Sequence, residues 1–123
     1  MISLRLKKLV KLSIFLFIIH AFEEYYTGLL TIDPMFSRVS GLIKISSVTF
    51  YIAEQILLVA FLLWGVYRPK RWVHIGIGIL FIYEISHVIS AIENLSYYPG
   101  LVTAVLLLIV GFVYWKELLK VNK

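Results

Sequence analysis

Ile14-Phe15-Leu16-Phe17-Ile18-Ile19-His20-Ala21-Phe22-Glu23-Glu24 begins as a membrane span and ends with a ring and two carboxylates where hydrocarbon should be. Ionisable side chains inside a bilayer are costly and face an interior site rather than lipid. The carboxylates follow the histidine by three and four residues, so all three project from one side of a helix. That spacing suits metal ligation or proton transfer. Ser13 and Thr27 extend the same polar stripe, and Phe15 to Ile19 and Phe22 cover the rest, an arrangement that turns the stripe inward toward other helices.

The wider chain has the same character. Its 123 residues are 61% hydrophobic and 15% charged. Four stretches reach the roughly 20 apolar residues that cross a bilayer: about 9–32, 46–67, 72–92 and 101–119. The expected fold is therefore all-α, an integral-membrane four-helix bundle forming a single transmembrane domain over 1–123. Met35, Phe36, Val39, Leu42 and Ile43 recur at helical spacing opposite Ser37, Arg38, Ser40 and Lys44, which predicts a short interfacial amphipathic helix over 34–44.

The formal charge of +5 matters less than its distribution. Arg5, Lys7, Lys8, Lys11, Arg68, Lys70, Arg71, Lys116, Lys120 and Lys123 fall at one end of the spans, and Arg38 and Lys44 at the other. This asymmetry predicts a cell-membrane protein with both termini cytoplasmic. It assigns the basic clusters to lipid head groups and leaves no role for nucleic acid. With no cysteine, disulfides and thiolate ligands are excluded. The basic start imitates a secretory signal, but no small-residue cleavage pattern follows, so the segment reads as the first span.

Other spans bring further polar groups. The second carries Glu54 with Ser47 and Tyr51 on its face, and Gln55 about 100° away. The third begins with Trp72 and His74 at the inner interface, has Gly76 and Gly78 for close backbone approach, and then presents Tyr83, Glu84, His87, Ser90 and Asn94. Tyr97-Tyr98-Pro99-Gly100 opens the fourth, with Pro99 suited to a first turn and the tyrosines to an aromatic belt. Gly100, Ala104 and Gly111 share a face there, so the fourth helix is expected to contribute packing more than chemistry.

At about 1.5 Å per residue, His20 lies about 16 Å from the cytoplasmic edge and Glu23 and Glu24 about 21 Å. Glu84 and His87 lie about 18 and 22 Å in, and Glu54 about 18 Å. One layer thus collects Glu23, Glu24, Glu54, Glu84, His20 and His87 as candidate metal ligands; Glu93 falls outside it. Four ionised acids at that depth would be balanced by two divalent cations, or by protons taken up at raised pKa values. Di-iron and di-manganese bundles use one Glu from each of two helices and a Glu-x-x-His from each of the others. The match here is partial, because the first helix reads His-x-x-Glu-Glu and the fourth supplies no ligand. The donor set fits one or two ions of zinc, iron or manganese without choosing among them.

His20-x-x-Glu23-Glu24, the later His87 and Tyr97-x-Pro99-Gly100, within a small chain of four apolar spans, resemble the HXXEE family of membrane proteins. The resemblance covers nearly the whole chain and implies that His20, Glu23, Glu24, His87, Tyr97, Pro99 and Gly100 are its motif residues. It implies no activity, since the family is defined by its motif.

Together these readings lead to an intramembrane metalloenzyme, a hydrolase or oxidoreductase, acting on a lipid or other apolar small molecule. Glu24 and Glu54 are the candidate acid–base residues and Tyr97 a further catalytic candidate, although its place also suits a belt residue. Two alternatives stand beside it. One is a metal-free isomerase or cyclase of an isoprenoid or sterol-like lipid. The other is a metal-ion or proton carrier or accessory subunit, for which so short a chain would need a homo-oligomer to line a pathway.

Overall fold

The computed structural model describes residues 2–68 and 70–120, and within them every regular element is a helix. Lys123, counted above among the basic residues, lies outside the described residues. Helix α1 spans Leu4–Tyr26, with the Ser3 hydroxyl accepting from the Leu6 amide at 3.1 Å. The first span was expected to run on to residue 32. Instead the backbone turns at Gly28, whose φ of 91° belongs to the left-handed region, and a single turn, α2 (Leu29–Ile32), follows.

Asp33 and Pro34 act as a start signal. The Asp33 carboxylate accepts from the Met35 amide at 2.8 Å, and Pro34, which has no amide proton to satisfy, opens α3 (Pro34–Ile43). Of the apolar side of α3 only Phe36 is buried, wedged at 5.7 Å against the Tyr51 ring; Leu42 and Ile43 face outward. Helix α4 (Ser47–Tyr67) is capped by Ser46. The third apolar stretch is two helices, α5 (Arg71–Tyr83) and α6 (Ile85–Glu93), and α7 spans Leu101–Lys120.

Three helical segments are long and apolar enough to cross a membrane: α4, α5 with α6, and α7. Helix α1 has the length, but Arg5, Lys7, Lys8 and Lys11 at one end and Glu23 and Glu24 at the other break its apolar run. It packs in the middle, touching α4 on one side and α7 on the other, while α7 also touches α5 and α6. The backbones of α4 and α6 stand apart among the described residues.

The packing is inside-out relative to a soluble bundle. Phe15, Phe22, Ile56, Leu57 and Phe112 are exposed, while Ser13, His20, Glu24, His74, Glu84, His87, Thr103 and Glu117 are buried. The apolar core runs along the half nearer the termini, through Leu6, Val10 and Phe17 of α1, Leu62 of α4, Val73, Ile77 and Phe81 of α5, and Leu107, Tyr114 and Leu118 of α7.

His74, expected at the interface, is fully buried in that half. Its Nδ1 stands 2.7 Å from the Tyr114 hydroxyl, a bond that ties α5 to α7. Glu117 closes the same end between Arg5 at 3.2 Å and Lys120 at 2.8 Å. Gly78 serves an aromatic ring rather than another backbone: a Cβ there would come within 2.6 Å of the Trp115 indole, whose Nε1 donates to the Gly78 carbonyl at 3.0 Å.

Candidate metal centre

The polar half begins where the helix of the third stretch is interrupted. At Glu84 the backbone changes to tighter bonds, Glu84 N to Phe81 O at 3.3 Å and His87 N to Glu84 O at 3.2 Å, and no proline causes it. The break is at the first residue of the pair Glu84-x-x-His87, and both residues of the pair face α1. There they meet His20 and Glu24, one turn apart on the same face. All four side chains are buried, each 4–6% exposed.

The contacts converge on a small volume. His20 Nε2 is 3.2 Å from Glu24 Oε1 and 3.0 Å from Glu84 Oε2; His87 Nε2 is 3.2 Å from the same Glu24 oxygen and 3.7 Å from Glu84 Oε2. The imidazoles meet edge to face at 4.9 Å.

Proton positions follow from the outer partners. The Pro99 carbonyl, 2.8 Å from His87 Nδ1, can only accept, so that nitrogen carries the proton and donates it. His20 Nδ1 is 2.7 Å from the Thr103 hydroxyl, and that hydroxyl gives its one proton to the Glu23 carboxylate in a short bond. His20 Nδ1 must therefore donate to Thr103. Each neutral ring is left with its lone pair on Nε2, aimed at carboxylate oxygens that also have only lone pairs to offer. A proton or a cation has to lie between them.

His20 Nε2, His87 Nε2 and one Glu24 oxygen lie within 4.8 Å of one another and could hold a metal ion. Ligands bound tetrahedrally to one ion at about 2.0–2.2 Å stand roughly 3.3–3.6 Å apart, and the two histidine–Glu24 distances of 3.2 Å are close to that. Each of these three side chains is also oriented from behind, an arrangement that metal ligands share. His20 is held by Thr103, His87 by Pro99, and Glu24 by the Tyr51 hydroxyl, which donates to Oε2 at 2.7 Å. Glu84 Oε2 faces both Nε2 atoms and is buried without a hydrogen-bond partner.

The two acids of His-x-x-Glu-Glu separate here. Glu24 turns into the knot and Glu23, about 100° round the helix, turns to α7. The Glu23 carboxylate accepts from the Tyr97 hydroxyl at 2.5 Å, from the amides of Val102 at 3.1 Å and Thr103 at 2.9 Å, and from the Thr103 hydroxyl. A carboxylate at a helix N-terminus satisfies amides that have no partner within the helix and complements the helix dipole. Partial burial and then the Glu23 carboxylate hold the Tyr97 hydroxyl above its ordinary pKa, so it remains a donor.

The remaining members of the expected ligand layer take other places. Glu54 is exposed and lines a cavity beside the knot, outside the three-residue group. Tyr97 bonds to Glu23 rather than to the knot, and Glu93 is exposed at the end of α6. Helix α7 contributes more than packing, because Thr103 and two of its amides link Glu23 to His20. Thr103 gave no signal in the sequence, being one threonine in an apolar helix.

The cavity, about 470 Å³, lies in the gap between α4 and α6 beneath α2 and α3, and His20, Glu24, Glu84 and His87 all reach it. Its other polar walls include Asp33, Glu54, Tyr83, Ser90 and Tyr98. The arrangement offers two imidazoles and a carboxylate facing an acidic group, at the edge of an open chamber.

Comparisons with curated proteins and with solved structures give no match. A family model described as "Protein of unknown function with HXXEE motif" matches residues 11–115, a stretch that contains the whole knot and the Tyr97–Gly100 loop, and the chain belongs to the HXXEE family.

Proposed function

We propose that this chain is a four-span membrane protein with cytoplasmic termini whose buried centre binds a divalent metal and acts on a lipid or other apolar substrate. One observation supports the metal: two histidine Nε2 atoms and a carboxylate oxygen converge on a point where a proton or a cation must lie, each of them braced from behind. The basic residues near the termini, against Arg38 and Lys44 at the α3 end, support the orientation. Helix α1 completes the bundle because its acids turn inward to the knot and to α7.

Two histidines and a carboxylate occur at zinc hydrolase centres and at iron oxygenase centres. Bound there, the ion supplies Lewis-acid or redox chemistry, according to its identity. The protein's residues have distinct tasks. His20, His87 and Glu24 hold the ion, Tyr51 fixes the Glu24 carboxylate, and Thr103 and Pro99 fix the ring tautomers. Glu84, which lines the cavity and whose Oε2 has no hydrogen-bond donor, accepts a proton from the reacting group. The apolar shell around Phe17 and Phe81 keeps bulk water from the far side.

The test uses protein in nanodiscs incubated with a membrane lipid extract, before and after chelation and metal replacement. A lipid change that stops on chelation, returns with one metal and is absent in His20→Ala/His87→Ala supports the reading. Zinc restoring it would point to hydrolysis, iron or manganese to redox chemistry. A change that survives exhaustive chelation would replace it with acid–base catalysis by the same four residues. Glu84→Gln should bind metal with wild-type stoichiometry, affinity falling by no more than about tenfold to a hundredfold, while the lipid change is lost. Full loss of metal in that variant would make Glu84 a ligand instead of the proton acceptor.

A further inference from the structure

A second space lies behind the wall of the acidic cavity. It is a groove of about 590 Å³ on the outward side of the α1–α4 contact, lined by apolar side chains such as Ile18, Phe22, Ile56, Ala60 and Leu63. Phe17, Tyr51 and Gln55 line both spaces. The two differ sharply in chemistry. The cavity has Glu24, Asp33, Glu54 and Glu84 in its walls, and neither space has a Lys or Arg among its described lining residues. None of the ion pairs among the described residues involves Glu54. A carboxylate at that depth without a counter-charge is costly, and a cationic or hydrogen-bond-donating group beside it removes the cost.

We infer that the site takes a single-chain amphiphile with an uncharged or cationic, hydrogen-bond-donating head. The head sits in the acidic cavity against Glu54, and the hydrocarbon tail lies in the α1–α4 groove. This rests on the reading of the four-residue knot as the reacting centre and adds the class of molecule brought to it. His20 and His87 offset Glu24 and Glu84 within the knot, but Glu54 and Asp33 face the cavity with no Lys or Arg beside them, so a phosphate head placed there would meet like charge. Phe17, Tyr51 and Gln55 line both spaces, and an amphiphile with its tail in one and its head in the other crosses this shared wall at Gln55, the least buried of the three.

The probes are dodecylamine and dodecanol, bound to the full chain in neutral-lipid nanodiscs and counted by native mass spectrometry, with metal content measured in the same samples. Comparing variants at equal membrane concentration cancels bulk partitioning. Glu54→Gln should lower dodecylamine occupancy about tenfold, as loss of one partly screened charge pair would, and leave dodecanol within about threefold. Ala60→Trp, which fills the groove and is remote from the knot, should lower both about tenfold or more with metal retained. Wild-type binding of both probes by Ala60→Trp would overturn the tail assignment, and unchanged dodecylamine binding by Glu54→Gln would overturn the head assignment. A wild-type protein that carries metal yet binds neither probe would remove this inference alone. Probe binding by a protein that takes no metal would remove the metal reading alone.

Discussion

Gly100→Ala is expected to destabilise the protein by about 2–5 kcal/mol and to lose most of its metal, although residue 100 has no side chain to contribute. Two costs combine. Gly100 has φ of 84°, a left-handed conformation in which a side chain is strained. A Cβ placed there would come within 2.7 Å of His20 Cε1, 2.9 Å of Glu24 Cγ and 3.2 Å of His87 Cε1. Three of the four knot residues would have to move at once, and the loop could not give way because Pro99 holds His87 and Tyr97 holds Glu23. The Tyr-x-Pro-Gly motif thus has a reason at each fixed position. Denaturation in mixed micelles and metal titration would check both effects, and a Gly100→Ala protein with wild-type stability and metal content would show that the knot is looser than these contacts allow.

The adjacent glutamates should separate by substitution. Glu24→Gln removes a proposed ligand and is expected to weaken metal binding by about a thousandfold or more, on the scale of one ligand's share of a structural ion's binding energy. Glu23→Gln leaves all three ligands. It replaces a carboxylate that accepts four hydrogen bonds by an amide whose NH₂ faces donors, which should cost about 2–4 kcal/mol of stability. Through Thr103 and His20 it should weaken metal binding only about tenfold to a hundredfold. Metal titration paired with unfolding of both variants reads the two effects separately. Equal loss of metal in the two would make Glu23 a ligand and contradict the separation.

His20, Glu24, Glu84 and His87 were legible in the sequence because ionisable groups in apolar spans have few reasons to exist. Counting about 1.5 Å per residue was enough to place them at one depth. Depth does not give azimuth: Glu54, expected in the same layer as the candidate ligands, lies on the cavity wall, outside the group of His20, Glu24 and His87. Nor could spacing separate Glu23 from Glu24, since both positions lie on the inward half of α1 and the partner that distinguishes them is the N-terminus of α7. Thr103 escaped for a general reason, because a threonine in a membrane helix can satisfy itself on its own backbone. The break at Glu84 has no proline or glycine to announce it; it is visible only in the hydrogen bonds on either side.

Elemental analysis of detergent-purified, never-chelated protein beside the His20→Ala/His87→Ala variant tests the central claim most directly. The account predicts one divalent metal per chain in the native protein and none in a variant that remains folded. Metal absent from both, or present equally in both, would contradict it.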